Sequence, residues 1–194
     1  LHLTAQTAQI EILEKLLEPG LSADLENNEA ETPLLIASRW RNKEIVQKLL
    51  ENGANVNTTN KQGNTPLLFA VKSKNIPMVE LLLDNGANIN HINQSGESAL
   101  LIACFETNRM LTKLLVEKGA DVLVSAKNGL SPVWYACANN QKEIVSLFLE
   151  NGVDVNYSKP VSGNEDSMYS YLDWVETANN LASDTNFSFS YDYG

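Results

Sequence analysis

Apolar residues recur along this chain in two alternating patterns. A short block runs from a hydroxyl residue to an alanine: Thr32 to Ala37, Thr65 to Ala70, Ser98 to Ala103 and Ser131 to Ala136. A second set follows at i, i+1, i+4 and i+5: Ile45, Val46, Leu49 and Leu50, then Met78, Val79, Leu82 and Leu83. Leu111, Leu114 and Leu115 continue it, and Ile144, Val145, Phe148 and Leu149 close it. This spacing lines one face of a helix. The short block predicts a helix too: Pro33, Pro66 and Pro132 suit a first helical position, and the Thr or Ser before them can cap the exposed N–H groups. Its alanine lets the two helices approach closely. Each second helix is expected to stop at Gly53, Gly86, Gly119 or Gly152, because glycine takes the left-handed conformation past a helix end without steric cost. An extended stretch and a turn around Gly63, Gly96, Gly129 or Gly163 then lead to the next block.

Thr32, Thr65, Ser98 and Ser131 stand 33 residues apart. A fixed period of this size marks a stack of small units in place of one globular core. The boundaries read as 1–31 (a truncated first unit), 32–64, 65–97, 98–130 and 131–163, together an array over 1–163. Residues 164–180 read as a degenerate capping unit, with a helix from Ser167 to Asn179, since solenoids cover their ends. Residues 181–194 form an acidic and aromatic tail.

The Thr-Pro-Leu opening, the crossing alanine, the paired leucines, the Gly-Ala-Asn-Val-Asn run at 53–57 and the turn glycine resemble the ankyrin repeat family over about 1–163. The resemblance implies an all-α solenoid of L-shaped, right-angled helix–turn–helix pairs whose β-hairpin loops project to one side. It also implies protein–protein recognition: members act as kinase inhibitors, transcription-factor inhibitors, substrate adaptors and membrane-skeleton tethers.

Departures from the family pattern are expected to matter. Leu35, Leu68, Leu101 and Trp134 replace the family's opening histidine, which only His2 matches; there the imidazole is expected to hydrogen-bond the neighbouring repeat. Arg41, Lys74, Thr107 and Asn140 stand where the family has an inter-helix glycine; the Asn that follows the first three tolerates a left-handed turn. The first unit looks irregular after Gly20, with Leu21 and Ser22 inserted and the loop to Thr32 shortened. Leu1 falls at the third place of a unit, which reads as a segment cut from a longer protein or array.

Charge sharpens this picture. The net charge is −10, which argues against nucleic acid as the main partner. Residues 1–31 hold seven carboxylates against Lys15, residues 32–64 hold five cations against two carboxylates, and residues 164–194 hold six carboxylates and no cation. No apolar run approaches the ~20 residues of a membrane span, so no membrane insertion is expected. Cys104 and Cys137 occupy one register position in neighbouring units. Packed helices stand about 8–10 Å apart, beyond the ~4.4–6.8 Å reach of a disulfide. Both read as buried thiols, which favours a reducing cytoplasmic or nuclear setting. The glycosylation patterns at Asn57 and Asn93 are then chance matches.

No catalytic or cofactor site emerges. There is no phosphate-cradling glycine motif, His91 has no ligand partner nearby and reads as a solvated loop residue, and the carboxylates lie on exposed helix faces or in the tail. The chain is therefore read as a non-enzyme, with no cofactor and no metal, and as a monomeric array.

Binding residues are sought where the period leaves the residue free. One such set is the end of the first helix on the concave side: Gln6-Thr7, Arg39-Trp40-Arg41, Lys72-Ser73-Lys74, Phe105-Glu106 and Ala138-Asn139. The other is the loop tips, Lys61 and Pro160-Val161 among them. Arg39, Trp40, Arg41, Lys61, Lys72, Lys74, Phe105, Glu106 and Asn139 are the candidate partner-binding residues. Large aromatics and Arg dominate interface hot spots, which singles out Trp40 and Phe105, although each could instead pack on the neighbouring repeat. Trp134 and Tyr135 read as core. The basic cluster fits either an acidic segment of a partner or the molecule's own tail, where Phe187, Phe189, Tyr191 and Tyr193 alternate with polar residues. The expected function is a regulatory or scaffold module of a larger protein. The alternatives are a regulatory or autoinhibitory arm of an enzyme whose other domains lie elsewhere, and a peptide- or headgroup-docking module of a transporter or signalling protein.

Overall fold

The computed structural model describes residues 1–18 and 20–154. The expected fifth loop, the capping helix and the aromatic tail lie outside the described residues. Among the described residues ten helices form five pairs: α1 (His2–Thr7) with α2 (Ile10–Leu17), α3 (Pro33–Arg39) with α4 (Lys43–Glu51), α5 (Pro66–Lys72) with α6 (Ile76–Asp84), α7 (Ala99–Phe105) with α8 (Arg109–Glu117), and α9 (Pro132–Ala138) with α10 (Lys142–Glu150). Thr32, Thr65, Ser98 and Ser131 cap the short helices, their hydroxyls accepting from the N–H groups of Leu35, Leu68, Leu101 and Trp134 at 3.2–3.4 Å.

The core is the shared wall between pairs. Ala37, Ala70, Ala103 and Ala136 are buried where the two helices of a pair meet, and Ile45, Leu49, Met78, Leu82, Leu111, Leu115, Ile144 and Phe148 are fully buried. Each such side chain contributes about 1.5–3 kcal/mol on burial. Helices α1, α3, α5, α7 and α9 pack closely in one row, and the longer helices form a looser second row. The tighter row and its loops form the inner side.

Both helices of a pair end in the same hydrogen-bond motif. Arg41 N–H donates to Ser38 O and Asn42 N–H to Ala37 O, just as Gly53 N–H donates to Leu50 O and Ala54 N–H to Leu49 O. The motif requires a left-handed residue. It falls on Ala8, Arg41, Lys74, Thr107 and Asn140 themselves, with φ between 50° and 63°. It does not fall on the asparagines after them. Asn75 and Asn108 instead cap α6 and α8, and the Asn42 amide donates to Ala5 O at 2.7 Å.

Two expectations about loops change. The first unit carries no insertion: Gly20 and Ala30 are left-handed 33 residues before Gly53 and Gly63, and Asp24 makes the contact that Asn57 makes one unit later. Leu21-Ser22-Ala23-Asp24 thus occupies the register of Ala54-Asn55-Val56-Asn57. The loops also contain no strand among the described residues. Each closes on two main-chain bonds, such as Asn60 N–H to Asn64 O at 3.2 Å and Gly63 N–H to Asn60 O at 2.9 Å, and asparagine side chains add to them.

Candidate protein-binding face

The period places residues 39, 72, 105 and 138 in one column at the ends of the inner helices, and residues 40, 73, 106 and 139 in the next. Trp40 is 54% exposed and Phe105 65% exposed. Phe105 meets Tyr135 edge-on at 5.8 Å, and Tyr135 meets Trp134 edge-on at 5.2 Å. Trp134 and Tyr135 are only half-buried, so they form a ledge beside the core. Tyr135 shares a column with Ile36 and Ile102, which are buried, and with Phe69, which is half-buried like it; the cover that suffices for isoleucine does not enclose an aromatic ring.

The basic cluster is mostly matched from within. Arg39 pairs with Glu31 and stacks over the Phe69 ring, 5.4 Å from its centroid. Lys72 pairs with Glu97 at 2.7 Å and Lys74 with Glu106 at 3.0 Å. Lys61 donates to Asn28 O at 3.0 Å and approaches Glu29 at 3.5 Å. Lys127, two units on, reaches Gln94 O in the same way. These pairs are half exposed, so each adds little stability, but together they cancel the positive field that the sequence suggests. The Arg41 guanidinium has no hydrogen bond or ion pair among the described residues. Asn139 turns its amide back to Tyr135 O at 2.8 Å as a helix end-cap.

Phe69 and Glu31 escape the sequence reading. Both line an open depression of about 450 Å³ between the first two loops, with Glu29, Arg39, Asn60, Gln62 and Asn64. The available signal was an aromatic at the place of the Thr-Pro-Leu block where the neighbouring units have Ile36 and Ile102.

Both histidines join neighbouring segments. His2 Nε2 lies 2.9 Å from Glu31 O, and His91 Nε2 lies 2.8 Å from Gly63 O. His91 is thus a half-buried bridge between loops, not a solvated residue. Cys104 and Cys137 are buried, and neither is in a disulfide. Burial pushes the Cys104 thiol up to about 12 against the opposing contact with Thr112, so it stays neutral and is a poor nucleophile. Among the described residues, no three His, Cys, Asp or Glu side chains gather as a metal site, and no helix is long and apolar enough to cross a membrane.

A family model described as ankyrin repeats (3 copies) matches residues 1–93 and again residues 86–159. No curated protein matches the chain. Ankyrin repeats in general serve as protein–protein interaction modules and are typically non-enzymatic.

Proposed function

This chain belongs to the ankyrin repeat family, and we propose that it is a regulatory or scaffold module that holds a partner protein against the inner-helix ends and loop tips. The exposure of Trp40 and Phe105 carries the reading. Both aromatics stand on the inner side, where no position in the period calls for them, and large aromatics at such places anchor interfaces. The partner chemistry that fits best is an apolar anchor with a carboxylate reaching the unmatched Arg41. A longer acidic segment would compete with Glu29, Glu31, Glu97 and Glu106 for the remaining cations. Two buried cysteines outside any disulfide support a reducing cytoplasmic or nuclear location. A regulatory arm of a multidomain enzyme would use the same face.

The test is site-specific photo-crosslinking. A crosslinker at position 40 or 105 captures the partner, whereas one at Gln47 on the outer row does not. Trp40→Ala with Phe105→Ala lowers partner affinity at least tenfold with thermal stability unchanged. Equal capture from Gln47, or unaltered affinity, removes this face from consideration.

A further inference from the structure

Four asparagines of the chain are followed by glycine: Asn52, Asn85, Asn128 and Asn151. Such a pair is prone to one uncatalysed reaction. The main-chain nitrogen of the glycine attacks the asparagine Cγ, ammonia leaves, and a five-membered succinimide forms. Water then opens the ring at either carbonyl, which gives aspartate or isoaspartate. Glycine puts no side chain in the way of the attack, so by sequence the four pairs are equals. The fold separates them.

Asn52, Asn85 and Asn151 stand at the ends of α4, α6 and α10. Their amides donate to the carbonyls of Lys48, Leu81 and Leu147, four residues back, at 2.7–2.8 Å. A side chain folded back over its own helix turns Cγ away from the nitrogen that must attack it. That nitrogen is fixed as well: the N–H groups of Gly53, Gly86 and Gly152 donate to Leu50 O, Leu83 O and Leu149 O at 3.0–3.2 Å. Reaction at these pairs requires the end of a packed helix to unravel.

Asn128 is exposed in the fourth loop, and its Oδ1 points forward to accept from Leu130 N–H at 3.1 Å. That bond closes a ring containing both Asn128 Cγ and Gly129 N, so the reacting atoms already share one turn. The amide nitrogen, which is the leaving group, donates to no acceptor among the described residues. Gly129 N–H does donate to Ala126 O at 2.9 Å. However, the turn around it lacks the fastening of the earlier loops, where Asn27, Asn60 and Asn93 each accept two N–H groups. Ala126 has no side-chain acceptor. Opening the fourth loop therefore breaks fewer bonds than opening any of the first three.

We propose that Asn128 is a site of spontaneous deamidation, converted through the succinimide to isoaspartate and aspartate ahead of the three helix-end asparagines. One water enters, one ammonia leaves, and nothing is oxidised or reduced. The aspartate product still accepts from Leu130 N–H and adds a negative charge beside Lys127. The isoaspartate product turns the old Oδ1 into a main-chain carbonyl oxygen and lengthens the chain by one carbon. It thereby removes the side-chain bond that holds this loop.

The experiment ages the full chain in heavy-oxygen water at mildly alkaline pH and reads its peptides by mass spectrometry. An isoaspartyl carboxyl methyltransferase reports the isoaspartate. In the folded chain, conversion at 128 should run at least tenfold faster than at 52, 85 or 151, and in concentrated urea the four rates should converge to within about threefold. Ala126→Asn, which supplies the missing acceptor, should slow conversion at 128 about threefold or more and leave the other three as they are. Equal rates at the four pairs in the folded chain, or a helix-end pair ahead of 128, overturns the proposal. A lead at 128 that persists undiminished in urea does so too, because the fold would then not be its cause. An unchanged rate at 128 in Ala126→Asn also overturns it, since the selectivity would owe nothing to how the loop is held.

Discussion

In the loops that end the first three units, Asn27, Asn60 and Asn93 each accept two main-chain N–H bonds at 2.9–3.1 Å, from the residues two and four places on. Ala126 holds that place in the fourth loop, and Asn128 caps Leu130 N–H alone at 3.1 Å. The joints to the next loop differ in the same way. Asp24, Asn57 and Asn90 each accept from the following loop, while Leu123 has no acceptor to offer and lies 61% exposed. Yet the fourth turn closes as the others do, with Gly129 left-handed and Ala126 N–H donating to Leu130 O at 2.9 Å. The glycine turn therefore sets the path of the loop, and the Asn and Asp side chains set how firmly it is held.

The most severe way to erase the difference is Asn93→Ala. Asn93 is buried, and its amide also donates to Asn64 at 2.9 Å and Glu97 at 2.8 Å. Leaving two part-buried N–H groups without an acceptor should cost about 2–4 kcal/mol, read as a lower urea midpoint and faster exchange at 94–97. A loss below ~0.5 kcal/mol would mean that the asparagines merely decorate turns fixed by glycine. Next in size, Asn57→Leu or Asn90→Leu copies the Leu123 joint and should cost about 1–2 kcal/mol each. Leu123→Ala should change stability by less than ~0.5 kcal/mol, since it loses no hydrogen bond. In the opposite direction, Ala126→Asn should gain about 0.5–1 kcal/mol by rebuilding the double acceptor.

The helix ends offer a related repair. Thr107 is β-branched, exposed and left-handed at φ 53°, a conformation in which such side chains are strained. Thr107→Gly keeps the carbonyl that receives Gln141 and should raise stability by about 0.5–1 kcal/mol. A loss would show that the glycine's extra freedom in the unfolded chain outweighs the strain.

Periodicity made the helix pairs, their caps and the buried wall legible, because one 33-residue pattern answers for each unit at once. What it could not show were contacts between places in different columns. Glu31, Glu97 and Glu106 neutralise Arg39, Lys72 and Lys74, so a cluster that reads as basic along the chain is nearly neutral in space. Phe69 hid for the same reason, since its role comes from Arg39 in the unit before. The first unit misled because Leu21-Ser22 shares no residue type with Ala54-Asn55, although both follow the same backbone path. Exposure of Trp40 and Phe105 was open to inference only as an alternative to packing, because residue type alone does not tell an anchor from a filler.

The smallest expected effect concerns pH at the firmly held loop. Burial raises the Glu97 carboxyl, but the Lys72 ammonium and the Asn93 amide outweigh it and hold it below its ordinary value of 4.5. A carboxyl depressed on folding adds stability that is complete above its unfolded value and is lost as pH falls through its folded one. Stability should therefore be flat above about pH 5 for this group and decline below about 4.5. Lys72→Met should flatten part of that acid-side decline while leaving the neutral-pH midpoint within ~0.5 kcal/mol, because a half-exposed pair contributes little. Ala126→Asn, made in the fourth loop where Leu130 replaces the carboxylate, should leave the acid limb untouched. If Lys72→Met and wild type lose stability in parallel down to pH 3, Asn93 alone holds Glu97, and the first three loops are fastened by amides with no help from charge.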